Sequence, residues 1–94
     1  MNASIAVAWL DGALVPRAQA RLPIDDFAVR YGVACFETMR AAGDRVFRLE
    51  AHLQRLFGGL TALGVEPQER LSAAALTRAI VATIAANELE EASV

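Results

Sequence analysis

Lysine is absent from this chain, and all nine of its basic residues are arginine. Schiff-base catalysis needs a side-chain primary amine, which a guanidinium cannot supply. These 94 residues therefore hold no catalytic residue for that chemistry. Cysteine occurs once, at Cys35, which excludes an internal disulfide and fits a reducing cytoplasm. Histidine also occurs once, at His52, and one histidine with one cysteine cannot close a zinc site, so no metal centre is expected. No apolar run is long enough to span a bilayer; the richest, 73–86, is broken by Thr77, Arg78 and Thr83. Residues 1–4 lack the basic region of a secretory signal. There is no glycine-rich phosphate loop, no internal repeat and no low-complexity tract. A net charge of −2 argues against a general nucleic-acid binder.

What the chain has in quantity is apolar surface, 55% of its residues. Ninety-four residues make one domain near the lower limit of independent folding. So small a body has few places to hide that much apolar side chain, so part of it is expected to face another domain or a second copy. Residues 5–10 alternate bulky and small and read as a strand. Asp11-Gly12 is a hairpin turn signal, and 13–15 form the return strand, which Pro16 is expected to end. Asp25-Asp26 precedes 27–31, and an aspartate there is positioned to cap a short helix closed by Gly32, a reading favoured over acid–base work by the pair. A second strand is predicted over 33–42, turning at Gly43-Asp44 and pairing back over 45–48, with Gly43 suited to a type II′ turn. Leu49, Leu53, Leu56, Leu60 and Leu63 form one apolar stripe of a helix that Gly64 stops. Pro67 opens a turn, Ser72 caps a second long helix over 73–88 buried on Leu76, Ile80 and Ile84, and a further strand can begin at 90–94. The expected fold is α+β: an antiparallel strand meander covered by two helices, a two-layer sandwich.

The period of two along 33–41 divides side chains between faces. Val33, Cys35, Glu37, Met39 and Ala41 are mostly small and apolar and belong against the helices. Ala34, Phe36, Thr38 and Arg40 share the other face, where an aromatic, a hydroxyl and a guanidinium suit either a ligand pocket wall or a solvated surface. Glu37 is a carboxylate on an apolar face and needs a partner, for which a neighbouring arginine is favoured over a catalytic role. Arg55 lies at the edge of the leucine stripe, and its helical neighbours Ala51, Gly58, Gly59 and Ala62 are small. Adjacent helical glycines cost about 1 kcal/mol each relative to alanine. They signal either a clearing for an anion around Arg55 or a packing notch beside an ordinary surface arginine. Cys35 reads as an inert buried thiol, and His52 as a polar rim residue.

Tyr31-Gly32, then Phe36-Glu37-Thr38-Met39-Arg40, then His52-Leu53-Gln54-Arg55-Leu56, with Trp9-Leu10-Asp11-Gly12 ahead of them, resemble the N-terminal half of the class IV aminotransferases. These are the fold-type IV pyridoxal phosphate enzymes, which include branched-chain and D-amino acid aminotransferases and aminodeoxychorismate lyase. The similarity runs over about 9–94. The resemblance implies that Arg55 holds the phosphate of pyridoxal 5′-phosphate. It also implies that Tyr31, Phe36, Thr38 and Arg40 line the substrate pocket, with Arg40 meeting a substrate carboxylate. Residues 1–94 would be a small N-terminal domain that ends before the C-terminal domain bearing the catalytic lysine, so the chain alone should be inactive. The implied partners are an amino acid, a 2-oxo acid and a second subunit in a cytoplasmic homodimer, with neither nucleic acid nor membrane. Thr38 stands where branched-chain enzymes usually have glycine, and Val33-Ala34 where many lyase and D-amino acid members have Asp-Gly. The alternatives are an aminodeoxychorismate lyase and a non-catalytic binding or dimerisation module. Arg55 is expected beside a concavity shared with the open face of the strand.

Overall fold

A computed structural model of the protein describes residues 6–66, 68–88 and 90–94. Ile5 and Pro67, expected to start a strand and to open a turn, lie outside the described residues. The architecture is α+β, with antiparallel sheets and three α-helices among the described residues.

Strands β1 (Val7–Leu10) and β2 (Ala13–Pro16) form the first hairpin. Asp11 and Gly12 both have positive φ, 50° and 89°. That is the type I′ signature whose twist matches the flanking strands. Pairing ends at Pro16, but one residue later than the expected return strand 13–15: Pro16 itself stands opposite Val7 as the last residue of β2. Proline is tolerated there because it lies at the end of an edge strand, and the next donor, the amide of Arg17, bonds the Ala6 carbonyl at 3.0 Å.

Helix α1 (Phe27–Tyr31) follows an irregular stretch. The Asp26 carboxylate accepts from the Ala28 amide at 2.9 Å, and Gly32 closes the helix at φ 65°, as the capping residues predict. The second hairpin joins β3 (Arg40–Ala42) and β4 (Arg45–Val46), with φ positive at Gly43 and not at Asp44, consistent with a type II′ turn. Both strands are shorter than the sequence suggests. Arg48 adopts φ 54° to lead the chain into the next helix, which cuts β4 off.

Helices α2 (Leu49–Ala62) and α3 (Ala73–Ala86) are the two long helices predicted, α3 ending two residues early. Ser72 caps α3 by accepting from the Ala75 amide at 3.1 Å. Strand β5 (Glu91–Ser93) returns beside β3, giving the sheet order β4-β3-β5. Met39 and Val94 exchange both backbone hydrogen bonds at 2.7 Å, extending that ladder by one pair. The expected single meander is therefore two sheets, one of two strands and one of three. Tight turns fix each hairpin locally, and nothing in the local pattern forces them to share a ladder.

Met39 and Ala41 from the strand, Leu53 from α2, and Ala79 and Ile84 from α3 are buried. Burying a leucine such as Leu53 contributes about 1.5–3 kcal/mol. A run of apolar residues stays exposed: Leu22, Ile24, Phe27, Val29, Tyr31 and Phe36. Among the described residues no helix is long and apolar enough to cross a membrane.

Candidate functional site

The segment before β3 keeps the alternation of a strand although only Ala41 and Ala42 pair in a ladder on both sides. Val33, Cys35 and Glu37 are half-buried and Met39 and Ala41 buried, while Ala34, Phe36, Thr38 and Arg40 are exposed. The period of two therefore sorts the faces as the sequence predicts, with Phe36 85% exposed on the open side.

On the helix side, Glu37 meets one face of α2. His52 and Arg55 are three residues apart there, so both side chains reach the same point on the strand. Arg55 donates from Nε to Glu37 Oε1 at 2.5 Å and from Nη2 to Oε2 at 2.8 Å. His52 Nδ1 lies 2.9 Å from Oε2. The Glu37 side chain is only 6% exposed, and Arg55 beside it holds its carboxyl down at about 2, with His52 adding to the effect. Glu37 is thus a carboxylate, which only accepts, so His52 must carry its proton on Nδ1 and donate. The same contact raises Arg55 above its ordinary value. Glu37 has the arginine partner that its apolar face demands.

Arg55 itself is 75% exposed along its side chain. Glu37 takes Nε–H and one Nη2–H, a single edge of the guanidinium. A guanidinium has five donors in a fork geometry, so the edge formed by Nη1 and the outer Nη2–H remains directed away from the carboxylate. This free edge fits a phosphate, which takes such a fork bidentately.

The two glycines of α2 separate into different roles. A Cβ at Gly59 would lie 2.9 Å from Cys35 Sγ, so Gly59 lets the strand approach the helix and is the packing notch. A Cβ at Gly58 would meet nothing within 4 Å. Gly58, one turn from Arg55, leaves open space.

The remaining site candidates are dispersed. Arg40 lines a groove of about 480 Å³ with Arg45, Phe47, Arg48 and Glu91, and Arg55 is not among its walls. Tyr31 packs on Phe27, ring centroids 4.7 Å apart, with the Arg30 guanidinium 5.3 Å from its ring. Phe36, Thr38 and Arg40 share the open face, whereas Arg55 bonds to Glu37 on the opposite one. The expected concavity joining Arg55 to the open face is not built by these contacts. His52, expected as a polar rim residue, is instead a second partner of Glu37. Its spacing from Arg55 was the available signal that both serve one carboxylate.

The described residues form an α+β body in which an exposed arginine is braced along one edge by the Glu37 carboxylate. The comparisons identify the family. The family model for amino-transferase class IV matches residues 34–94. The branched-chain-amino-acid aminotransferase of Pseudomonas aeruginosa is 35% identical over 91 residues, covering 92% of this chain and 29% of that protein. A probable branched-chain-amino-acid aminotransferase of Rickettsia felis is 36% identical over 58 residues, covering 62% of this chain and 20% of its own length. The crystal structure of the branched-chain aminotransferase of Thermoproteus uzoniensis with norvaline superimposes with a TM-score of 0.77 at 32% identity, covering 89% of this chain and 29% of that one. The chain belongs to the class IV aminotransferases. It spans less than a third of the length of each of these relatives.

Proposed function

We propose that this chain is the small N-terminal domain of a pyridoxal phosphate-dependent aminotransferase that moves an amino group between an amino acid and a 2-oxo acid. The observation that carries the reading is Arg55, exposed, fixed along one edge by Glu37 and open along the other. When bound, pyridoxal phosphate supplies the electron sink that stabilises charge at the substrate's α-carbon. Arg55 would hold its phosphate, with Gly58 leaving room. Phe36 and Thr38 would give the substrate pocket an apolar wall with one hydroxyl, Arg40 would meet a substrate carboxylate, and Tyr31 would close the wall. The amine for Schiff-base chemistry must come from a lysine outside these residues, since the chain has none.

The exposed residues Leu22, Ile24, Phe27 and Val29 support burial against a further domain or a second subunit, and we assign the whole protein as a cytoplasmic homodimer. The relatives named as branched-chain aminotransferases favour branched-chain amino acids and their 2-oxo acids as substrates.

The test is turnover by the full-length protein. Consumption of a branched-chain 2-oxo acid with an amino donor is expected. Release of 4-aminobenzoate instead would make it an aminodeoxychorismate lyase, and neither activity would leave a binding module. In the same protein Arg55→Ala should weaken retention of pyridoxal phosphate about 100-fold, since a bidentate charged contact is lost. Retention at the wild-type level on dialysis would remove Arg55 from the cofactor site.

A further inference from the structure

Glu37 sits where a carboxylate looks out of place. Its neighbours along the strand face are Cys35 and Met39, and its side chain is almost closed off from water. An ionised group there is tolerated only if each oxygen is satisfied. Both are: Oε1 takes Nε of Arg55, and Oε2 takes Nη2 of Arg55 and Nδ1 of His52. His52 and Arg55 belong to α2, and Glu37 belongs to the strand, so the carboxylate is clamped from one helix onto one extended segment.

The consequence falls on Arg55. An arginine that is three-quarters exposed ordinarily samples many rotamers, and an anion must freeze them to gain a bidentate grip. Here one edge of the guanidinium is already seated on a fixed carboxylate, which sets the plane and the direction of the remaining fork. We infer that Glu37 is a positioning residue for the cofactor-phosphate site: by gripping the Nε/Nη2 edge of Arg55 it presents the Nη1/Nη2 fork, preoriented, to the phosphate. This rests on the proposed role of Arg55 and adds to it a residue that never touches the cofactor.

The opposing effect is charge. Glu37 also cancels part of the positive charge that attracts the phosphate, and on that ground alone its removal would tighten binding. Two features favour orientation over charge. The outer edge of Arg55 lies in high-dielectric solvent, which weakens the repulsion between a phosphate there and the more distant carboxylate. The two hydrogen bonds from Arg55 fix direction as well as distance. Seating one rotamer-rich side chain in advance corresponds to about 2- to 10-fold in affinity.

The experiment measures the dissociation constants of pyridoxal 5′-phosphate and of pyridoxal, which lacks the phosphate, on the full-length apo-protein. Binding through the lysine is common to both compounds, so the ratio of pyridoxal phosphate affinity to pyridoxal affinity isolates the phosphate grip. Glu37→Gln keeps the shape, but its amide nitrogen cannot accept from Nη2. It is expected to lower the ratio about 10-fold while leaving pyridoxal binding unchanged. Glu37→Asp keeps the charge and both acceptors and is expected to give an intermediate ratio. It carries the test if the glutamine variant fails to fold, and a wild-type ratio in Glu37→Asp would then overturn the inference. An unchanged or raised ratio in Glu37→Gln likewise overturns it, and a raised one would mean that the carboxylate masks Arg55. Arg55→Ala separates the two claims. If it leaves the ratio unchanged, the phosphate role of Arg55 fails. If it collapses the ratio while Glu37→Gln does not, only the positioning role fails.

Discussion

Two polar junctions hold this domain together, and they are completed to different degrees. At the first, Asn87 beyond α3 fastens the N-terminal hairpin: its Oδ1 accepts from the amides of Ala6 and Val7 at 2.8 and 2.9 Å, and its Nδ2 donates to the carbonyls of Val7 and Thr83 at 2.9 and 2.8 Å. Two donors and two acceptor positions are all that an amide side chain has, and all four are used inside the chain. At the second, both oxygens of Glu37 are bonded, but its partner Arg55 keeps donors beyond them. The hydrogen bonds found at Arg55 among the described residues lie along one edge. A junction that exhausts its valences holds the fold together. One that leaves directed donors on a rigid mount is available to something outside the chain. That contrast separates the two polar clusters more sharply than their exposure or their charge does.

The comparison breaks most visibly at Asn87. Asn87→Ala strips partners from the Val7 amide and carbonyl at once, and it should destabilise the domain by on the order of 3 kcal/mol. Denaturant unfolding of the full-length apo-protein reads this loss. The ratio of pyridoxal phosphate to pyridoxal affinity should stay at its wild-type value, because the amide stands at the other junction. A fall in that ratio would mean that the two junctions are coupled.

Acid should distinguish them next. Arg55 and His52 hold Glu37 at about 2, below the ordinary carboxylate value of 4.5 that it regains on unfolding. A depressed folded value means that the stabilisation is fully present above about pH 4.5 and drains away as the pH falls toward about 2. Unfolding midpoints measured from about pH 6 downward should therefore fall more steeply in wild type than in Glu37→Gln over that window. Asn87→Ala, which removes no titrating group, should keep the wild-type slope. Parallel slopes in wild type and Glu37→Gln would show that the strand–helix corner does not depend on the ionised carboxylate.

The smallest effect sharpens the geometry of the second junction. Gly58→Ala places a methyl in open space and should gain up to about 1 kcal/mol from helix propensity. Gly59→Ala sets a methyl 2.9 Å from Cys35 Sγ and should forfeit that gain. Gly59→Ala combined with Cys35→Ala should recover part of it. Thermal unfolding of the three variants checks the order. If Gly59→Ala were as stable as Gly58→Ala, the strand would not sit as close to α2 as the structure shows. Gly58→Ala should also weaken pyridoxal phosphate retention if the clearing serves the cofactor.

Much of this fold is legible from local rules. Asp26, Ser72 and Gly32 end their helices where capping chemistry requires, and the alternation through Cys35, Phe36, Glu37 and Thr38 divides the faces correctly. The larger failures concern how whole elements meet. Strand β3 is short because the entry of α2 through Arg48 truncates its partner, and β1-β2 forms its own sheet because its packing partner is α3. Asn87 gave no signal at all, since an asparagine past a helix end usually serves that end alone. At the site, the need of Glu37 for an arginine was readable from its apolar face. That this arginine is Arg55 was not, because pairing across the strand–helix gap depends on a close approach that Gly59 permits. The family roles of Tyr31, Phe36, Thr38 and Arg40 concern a surface that these residues do not enclose by themselves.

Asn87 has one more consequence, in time rather than in space. Its bonds to Ala6 and Val7 close chain separations of 81 and 80 residues. At a synthesis rate of about 5–20 residues per second, the β1-β2 hairpin waits about 4–16 s for the side chain that anchors it. During that interval β1 has no α3 to lie against, and the β1-β2 ribbon is a two-stranded hairpin, marginal in water on its own. The end of helix α3, made some 80 residues later, thus completes the β1-β2 hairpin.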